Sequence, residues 1–164
     1  RNKNLTSLDA SNNTSLTELY CGSNRLVSLD IKGCSSITKL DCGDNRLINL
    51  DVNSNTALTE LVCRDNQLKS LDLSNNTSLT EVKCQNNQLT SLDIGKNMTL
   101  THMYASDNQL TSLDISKSLA LTHLYVSENK LKKLHLGKNK SLLFLRCNDN
   151  VLDCDYLKDK YNLK

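Results

Sequence analysis

The 164-residue chain has no proline, no tryptophan, one phenylalanine and five glycines. Without proline and with little glycine, its turns must be made by Asn, Asp and Ser, the other residues that tolerate tight bends. No apolar run approaches the ~18 residues of a membrane-spanning helix, so membrane insertion is not expected. No block of like charge occurs: 20 Lys and Arg are interspersed with 18 Asp and Glu for a net charge of +2. That balance excludes the basic stripe of a nucleic-acid binder. No secretory signal is visible, and Arg1 falls partway through a repeat, as expected of a piece of a longer protein. No nucleophile–base pair, phosphate-cradling loop or metal-ligand set occurs at matched spacing, so neither catalysis nor a cofactor is expected.

What the chain does have is a period. Leu8, Leu29, Leu50, Leu71, Leu92, Leu113 and Leu134 recur every 21 residues without an insertion. Further columns hold the same register: Leu16 to Leu142, Leu19 to Leu145 (with Val82 and Met103), and Leu26 to Leu152. Asn24, Asn45, Asn66, Asn87, Asn108, Asn129 and Asn150 form a column with no exception. Each repeat is two similar halves, L-x-x-L-x-C-x-x-N-x and L-x-x-L-D-L-x-x-N-x-x. The first is the leucine-rich-repeat signature.

Within L-x-L, alternation turns both leucines inward and the middle residue outward. No half carries an apolar stripe of helical period. The pattern therefore predicts a β-rich solenoid of seven coils over residues 1–152, with two extended segments per coil and parallel strands stacked between coils. One coil cannot bury its own leucines, so stability is shared between neighbours. After Leu152 the register fails. Asp153 or Asp155 can cap a short helix running to about Asn162, with Leu157 and Tyr161 on one face, so 153–164 is read as a C-terminal cap.

These columns resemble the bacterial leucine-rich repeats of the 21-residue nested type, above all the internalin J-like surface repeats in which cysteine replaces one repeat leucine. Cys21, Cys42, Cys63, Cys84 and Cys147 stand at that position, and Ala105 and Val126 depart from it. The resemblance covers about residues 5–152. It implies a right-handed, curved solenoid from a cell-surface or secreted protein, used in adhesion or partner binding.

The seven cysteines do not read as a zinc site, because no C-x-x-C pair occurs. Stacked thiols pointing the same way are poorly placed for disulfides, so the column reads as buried packing. Cys34 and Cys154 are expected to be unpaired. The asparagine column is expected to satisfy backbone groups of the bend, as is a second, partial one of Asn13, Asn55, Asn76, Asn97 and Asn139. Asp9, Asp30, Asp51, Asp72, Asp93 and Asp114 form another file, ended by His135. Local hydrogen bonding to serine or backbone is the favoured role, with calcium the alternative.

Binding is expected where the repeats stop agreeing. The outward columns read Glu18, Lys39, Glu60, Glu81, His102, His123, Phe144 and Tyr20, Asp41, Val62, Lys83, Tyr104, Tyr125, Arg146. Variable side chains on a rigid sheet suit recognition. The candidate site is Tyr104, Tyr125, His102, His123, Phe144 and Arg146 over coils five to seven, with Lys83 and Tyr20. A protein partner is the leading expectation, with a structural spacer presenting another domain and a glycan-binding module as the alternatives. The uncapped N-terminal edge, where Leu5 opens into the core, could support end-to-end self-association.

Overall fold

In a computed structural model, which describes residues 4–161 and 163, the chain winds into a solenoid of parallel three-residue strands. In chain order these are β1 (Ser7–Asp9), β2 (Glu18–Tyr20), β3 (Ser28–Asp30), β4 (Lys39–Asp41), β5 (Glu60–Val62) and β6 (Glu81–Lys83). Then follow β7 (His102–Tyr104), β8 (Ser112–Asp114), β9 (His123–Tyr125), β10 (Lys133–His135) and β11 (Phe144–Arg146). Among the described residues there is one helix, α1 (Cys154–Tyr161), which follows the last coil.

The first-half strands make one seven-stranded parallel sheet in the order β2, β4, β5, β6, β7, β9, β11. Its register is the 21-residue period made physical: Leu19 pairs with Leu40, Leu40 with Leu61, Leu61 with Val82, and so on to Leu145. The inward leucines of the middle coils are fully buried. Burying such a side chain is worth about 1.5–3 kcal/mol, and each is covered only by its own coil and the two beside it.

The second side differs from the expectation of an extended segment in every coil. Only β1–β3 and β8–β10 pair there. Around Leu50, Leu71 and Leu92 the leucine is still buried, but no strand is formed. The aspartate file runs through these segments as it does through the paired ones. In six successive coils the Asp Oδ1 accepts the backbone N–H two residues on, at 2.8–2.9 Å. That bond lies within one coil and satisfies a donor locally, in coils with and without a second-side strand alike. These bonds also hold the carboxyls of Asp9 and Asp72 below their usual range, chiefly through the backbone N–H of Ser11 and Ser74. The favoured local role is thus what the aspartates perform.

The asparagine column does what the bend requires. Asn66 Nδ2 donates to the carbonyls of Cys42, Cys63 and Arg64 at 3.1 Å, and its Oδ1 accepts the N–H of Leu47 at 2.9 Å. The same set recurs at Asn45, Asn87, Asn108 and Asn129, so each amide ties two coils together. The residue before each Asn sits at positive φ, 53–56°, and is Ser23, Asp44, Asp65, Asn86, Asp107, Glu128 or Asp149. Short polar side chains tolerate this left-handed region, and Glu128 is the one long exception. In the second ladder Asn55, Asn76 and Asn97 each donate to two carbonyls of the preceding coil, while their Oδ1 atoms meet no donor.

Cys21, Cys42, Cys63 and Cys84 are buried free thiols in one column. Burial pushes Cys21 up to about 11 and Cys84 up to about 12, and Cys42 and Cys63 also upward. Two expectations for the cysteines need correction. Cys154 is not unpaired, and Cys147 is not a packing thiol: they form a disulfide with their Cα atoms 5.5 Å apart. Thiols stacked coil on coil point the same way, but the tail turns back across the last coil and brings Cys154 to Cys147. Cys34 is free, as expected, with its Sγ 3.0 Å from the carbonyl of Ala10.

Helix α1 is fixed at its start by Asp153, whose Oδ1 accepts the Tyr156 N–H at 2.9 Å. Cys154 is buried and Leu157 half-buried, whereas Tyr161 is exposed, so the expected Leu157–Tyr161 face covers the core with only one of its members. Asn162, the expected helix end, lies outside the described residues, as do Arg1 to Lys3.

Candidate binding surface

The seven-stranded sheet places residues 18 and 20 of the repeat, and their equivalents, on its outer face, because the residue between them is inward. Parallel register then sets like positions side by side at ~4.8 Å. In coils five to seven this spacing lets rings stack. His102 and His123 lie 4.5 Å apart with planes 12° from parallel, and Phe144 continues the stack 4.7 Å from His123. Tyr104 and Tyr125 stack at 4.8 Å and 6°. Lys83 Nζ stands 5.6 Å over one end of the tyrosine pair and the Arg146 guanidinium 5.7 Å over the other. Each ring pair is worth about 0.5–1.5 kcal/mol and each exposed cation–ring contact about 0.5–1 kcal/mol.

Seven of the eight candidate residues are therefore brought into one continuous array. Tyr20 is not part of it: Asp41 and Val62 separate it from Lys83, and its hydroxyl donates to Glu18 Oε2 at 2.8 Å. Val62 holds an outward position yet is buried, so it presents little to a partner. Tyr20 instead borders a cavity of about 580 Å³ at the first coil, shared with Leu5, Leu8 and Leu19.

The histidine rings are held in one tautomer. Thr101 Oγ1 spends its proton on the Thr80 carbonyl at 2.9 Å, so the 2.9 Å contact to His102 Nδ1 must be donated by the ring. Thr122 and His123 repeat this arrangement. With Nδ1 against the threonine, Nε2 is the ring nitrogen left out of that contact. The near-parallel planes keep the two Nε2 lone pairs side by side rather than convergent, which is not the geometry of a chelate. Among the described residues no group of three or more His, Cys, Asp or Glu could hold a metal ion.

The electrostatics divide the face. In coils one to four the ends of Lys39 and Lys83 are spent on Glu18, at 3.6 Å, and Glu81, at 2.9 Å. The Glu81 carboxylate raises Lys83 above the usual lysine range. In coils five to seven the two outward columns contain no carboxylate, and Arg146 has no ion-pair partner among the described residues. Acid returns only at the turn beyond the tyrosines, where contact with Asp107 raises the Glu128 carboxyl.

Sequence reasoning passed over residues beside this array. Met98, Leu119 and Leu143 are exposed at 63%, 55% and 56%, next to Phe144 at 40%. Their columns are otherwise polar: Thr14, Ser35, Thr56 and Thr77 precede Met98 and Leu119, and six threonines precede Leu143. The same internal comparison that singled out the sheet columns would have found them, had it been applied to the turns.

A 21-residue register of parallel strands, an asparagine at each bend and an inward apolar residue, mostly leucine, on each strand define a leucine-rich-repeat solenoid, and the chain belongs to that class. No protein-family model and no curated protein matches it, but solved structures do. The chain is similar to the functional domain of internalin J from Listeria monocytogenes, described as including a cysteine ladder: 40% identity over 92% of this chain, TM-score 0.87. It spans 35% of that chain, about a third of its length. A leucine-rich-repeat protein of Leptospira interrogans (24% identity, TM-score 0.74, 91% of this chain and 47% of that one) shares the fold. So does an internalin, internalin F, of Listeria monocytogenes (20% identity, TM-score 0.73, 88% of this chain and 54% of that one). No helix among the described residues is long and apolar enough to cross a membrane.

Proposed function

We propose that this chain is a protein-binding module of a bacterial cell-surface or secreted protein, with an adhesive role, and that it binds through the outward columns of coils five to seven. The observation that carries this is the ring array. Tyr104, Tyr125, His102, His123 and Phe144 are held by each other and by Lys83 and Arg146 before any partner arrives. A preassembled aromatic surface avoids the cost of ordering side chains on binding, about 0.5–1.5 kcal/mol per side chain. Tyr and Arg are also favoured interface anchors.

Ring orientation favours protein over glycan. Sugars stack on ring faces, and here the faces of both tyrosines are occupied by each other, Lys83 and Arg146. What points outward are ring edges and hydroxyls, suited to hydrogen bonding with a polypeptide. An exported location is supported by the Cys147–Cys154 disulfide, since such bonds persist in oxidising surroundings.

The test is a double variant, Tyr104→Ser with Tyr125→Ser, compared with the unaltered chain on arrays of extracellular proteins and of glycans. Protein hits lost by the variant, with circular dichroism unchanged, are the expected result. Hits that survive the double variant, or hits on glycans alone, would overturn the assignment.

A further inference from the structure

The sheet face is not the only surface that changes character at coil five. Along the turn edge leading into the first strand, one exposed column reads Asn12, Gly33, Ser54, Asn75 and then Lys96, Lys117, Lys138. Two residues on, Thr14, Ser35, Thr56 and Thr77 give way to Met98 and Leu119, with Lys140 in the last coil. Between the two rows lie Asn97, Ser118 and Asn139 of the second ladder, turned into the core or half-buried. The edge of coils five and six therefore carries exposed lysines beside exposed Met98 and Leu119, and in coil seven both positions are lysine while the exposed apolar group is Leu143, three residues on. Leu143 and Phe144 carry the apolar row onto the sheet.

Neither row is explained by the scaffold. The first four coils build the same turn with neutral polar residues, so the fold needs neither lysine nor methionine there. None of the four lysines makes an ion pair among the described residues. Lys96 and Lys117 only help to lower Asp72 and Asp114 from a distance. That carboxylate file ends at Asp114 and gives way to His135, so positive charge is least opposed in the last coil.

We propose that this edge docks an acidic amphipathic helix of a partner protein, laid along the solenoid axis with its acidic stripe over the lysines and its apolar stripe over Met98, Leu119 and Leu143. Charge complementarity fixes the sign of the partner, and spacing fixes its form. Coils recur at ~4.8 Å. Successive turns of a helix rise ~5.4 Å, whereas like-facing residues of a strand recur at ~6.6 Å. Over the two intervals spanned by three coils a helix drifts by ~1 Å and a strand by ~4 Å. An amphipathic helix thus keeps its stripes in register with both rows. The inference goes beyond the face reading, because it concerns a second surface that meets the first only at Phe144.

A display library of single helices with randomised faces, panned on the whole chain, tests it. Enrichment of Glu and Asp on one stripe and Leu, Ile or Met on the adjacent one is expected. Selected helices should bind at least roughly fivefold more weakly to Lys96→Ser/Lys117→Ser/Lys138→Ser and to Met98→Thr/Leu119→Thr. Those variants place on the edge the small polar residue types of the first four coils, so folding is preserved and is checked by melting. The helices should bind the Tyr104→Ser/Tyr125→Ser chain undiminished. Enrichment without an acidic stripe, or binding indifferent to both edge variants, overturns the proposal. Helices released by the tyrosine variant alone would overturn it while supporting the sheet face as a binding site. Binding of phosphatidylserine vesicles that depends on the same residues, with no helix selected, would make the edge a membrane surface and also overturn it.

Discussion

Coils one to four and coils five to seven share one scaffold and present different surfaces. The inward leucines and the asparagine at each bend are alike in both. Outward, the first four coils carry carboxylates and lysines, with Lys39 paired to Glu18 and Lys83 to Glu81, and the last three carry stacked rings without a carboxylate. The cysteine column divides near the same place: free thiols run from Cys21 to Cys84, then Ala105 and Val126 intervene before the disulfide at Cys147. A solenoid permits this division because each coil answers only to its neighbours. Surface chemistry can change at one coil without disturbing the core beneath it.

The largest effect should come from the shared scaffold. Asn66→Ala strands three carbonyls and one N–H at a buried bend. At about 1–3 kcal/mol per unsatisfied group, partly recovered by water, urea denaturation should show a loss of about 3–5 kcal/mol. Asn24→Ala should cost clearly less, because Asn24 donates only to Cys21 and Gly22 and its Oδ1 has no partner. Equal losses would mean that the amides do not act by joining coils.

The next effect separates the two ends. Cys154→Ser opens a disulfide that spans seven residues, and closing so short a loop is worth about 2 kcal/mol. Melting should fall in the variant, and in the unaltered chain under reductant, with hydrogen exchange rising in α1 and the last coil but not around Cys21 to Cys84. Loss of protection spread evenly along the chain would contradict the nearest-neighbour picture.

A smaller effect belongs to the thiols. Burial raises the folded-state values of Cys21 and Cys84 to about 11 and about 12, from an ordinary value of 9.0. Folding therefore favours the protonated form. This contribution is fully present below pH 9, and it declines as pH climbs from there through the folded values. Urea midpoints should drop between pH 9 and 11, and Cys84→Ala, the residue the column itself carries at 105, should make the drop shallower. An unchanged slope would show that the thiols do not set alkaline stability.

The smallest effect lies in the charged half of the face. Lys39 and Glu18 meet at 3.6 Å while nearly half exposed. Lys39→Ser should change stability by no more than a few tenths of a kcal/mol, on the order of an exposed pair. A shift above about 1 kcal/mol would show that the charged coils depend on their surface as the ringed coils do.

Much of this was legible in the sequence because a strict period converts separation along the chain into adjacency in space. Residues 21 apart become neighbours, so the core, the bend asparagines and the local role of the aspartates could be assigned from columns alone. So could the grouping of His102, Tyr104, His123, Tyr125, Phe144 and Arg146. Columns say which residues adjoin; they do not say how side chains turn or where the chain goes once the period ends. The tertiary structure decided that Cys147 pairs with Cys154, since the direction of the tail is not written in any repeat. It decided that the second side keeps its ladder only at its two ends, a difference that no column shows, since the aspartate bond is the same in coils with and without a strand. It also decided that the tyrosines offer edges and not faces, because stacking at strand spacing covers the faces. Period determined adjacency, and packing determined orientation.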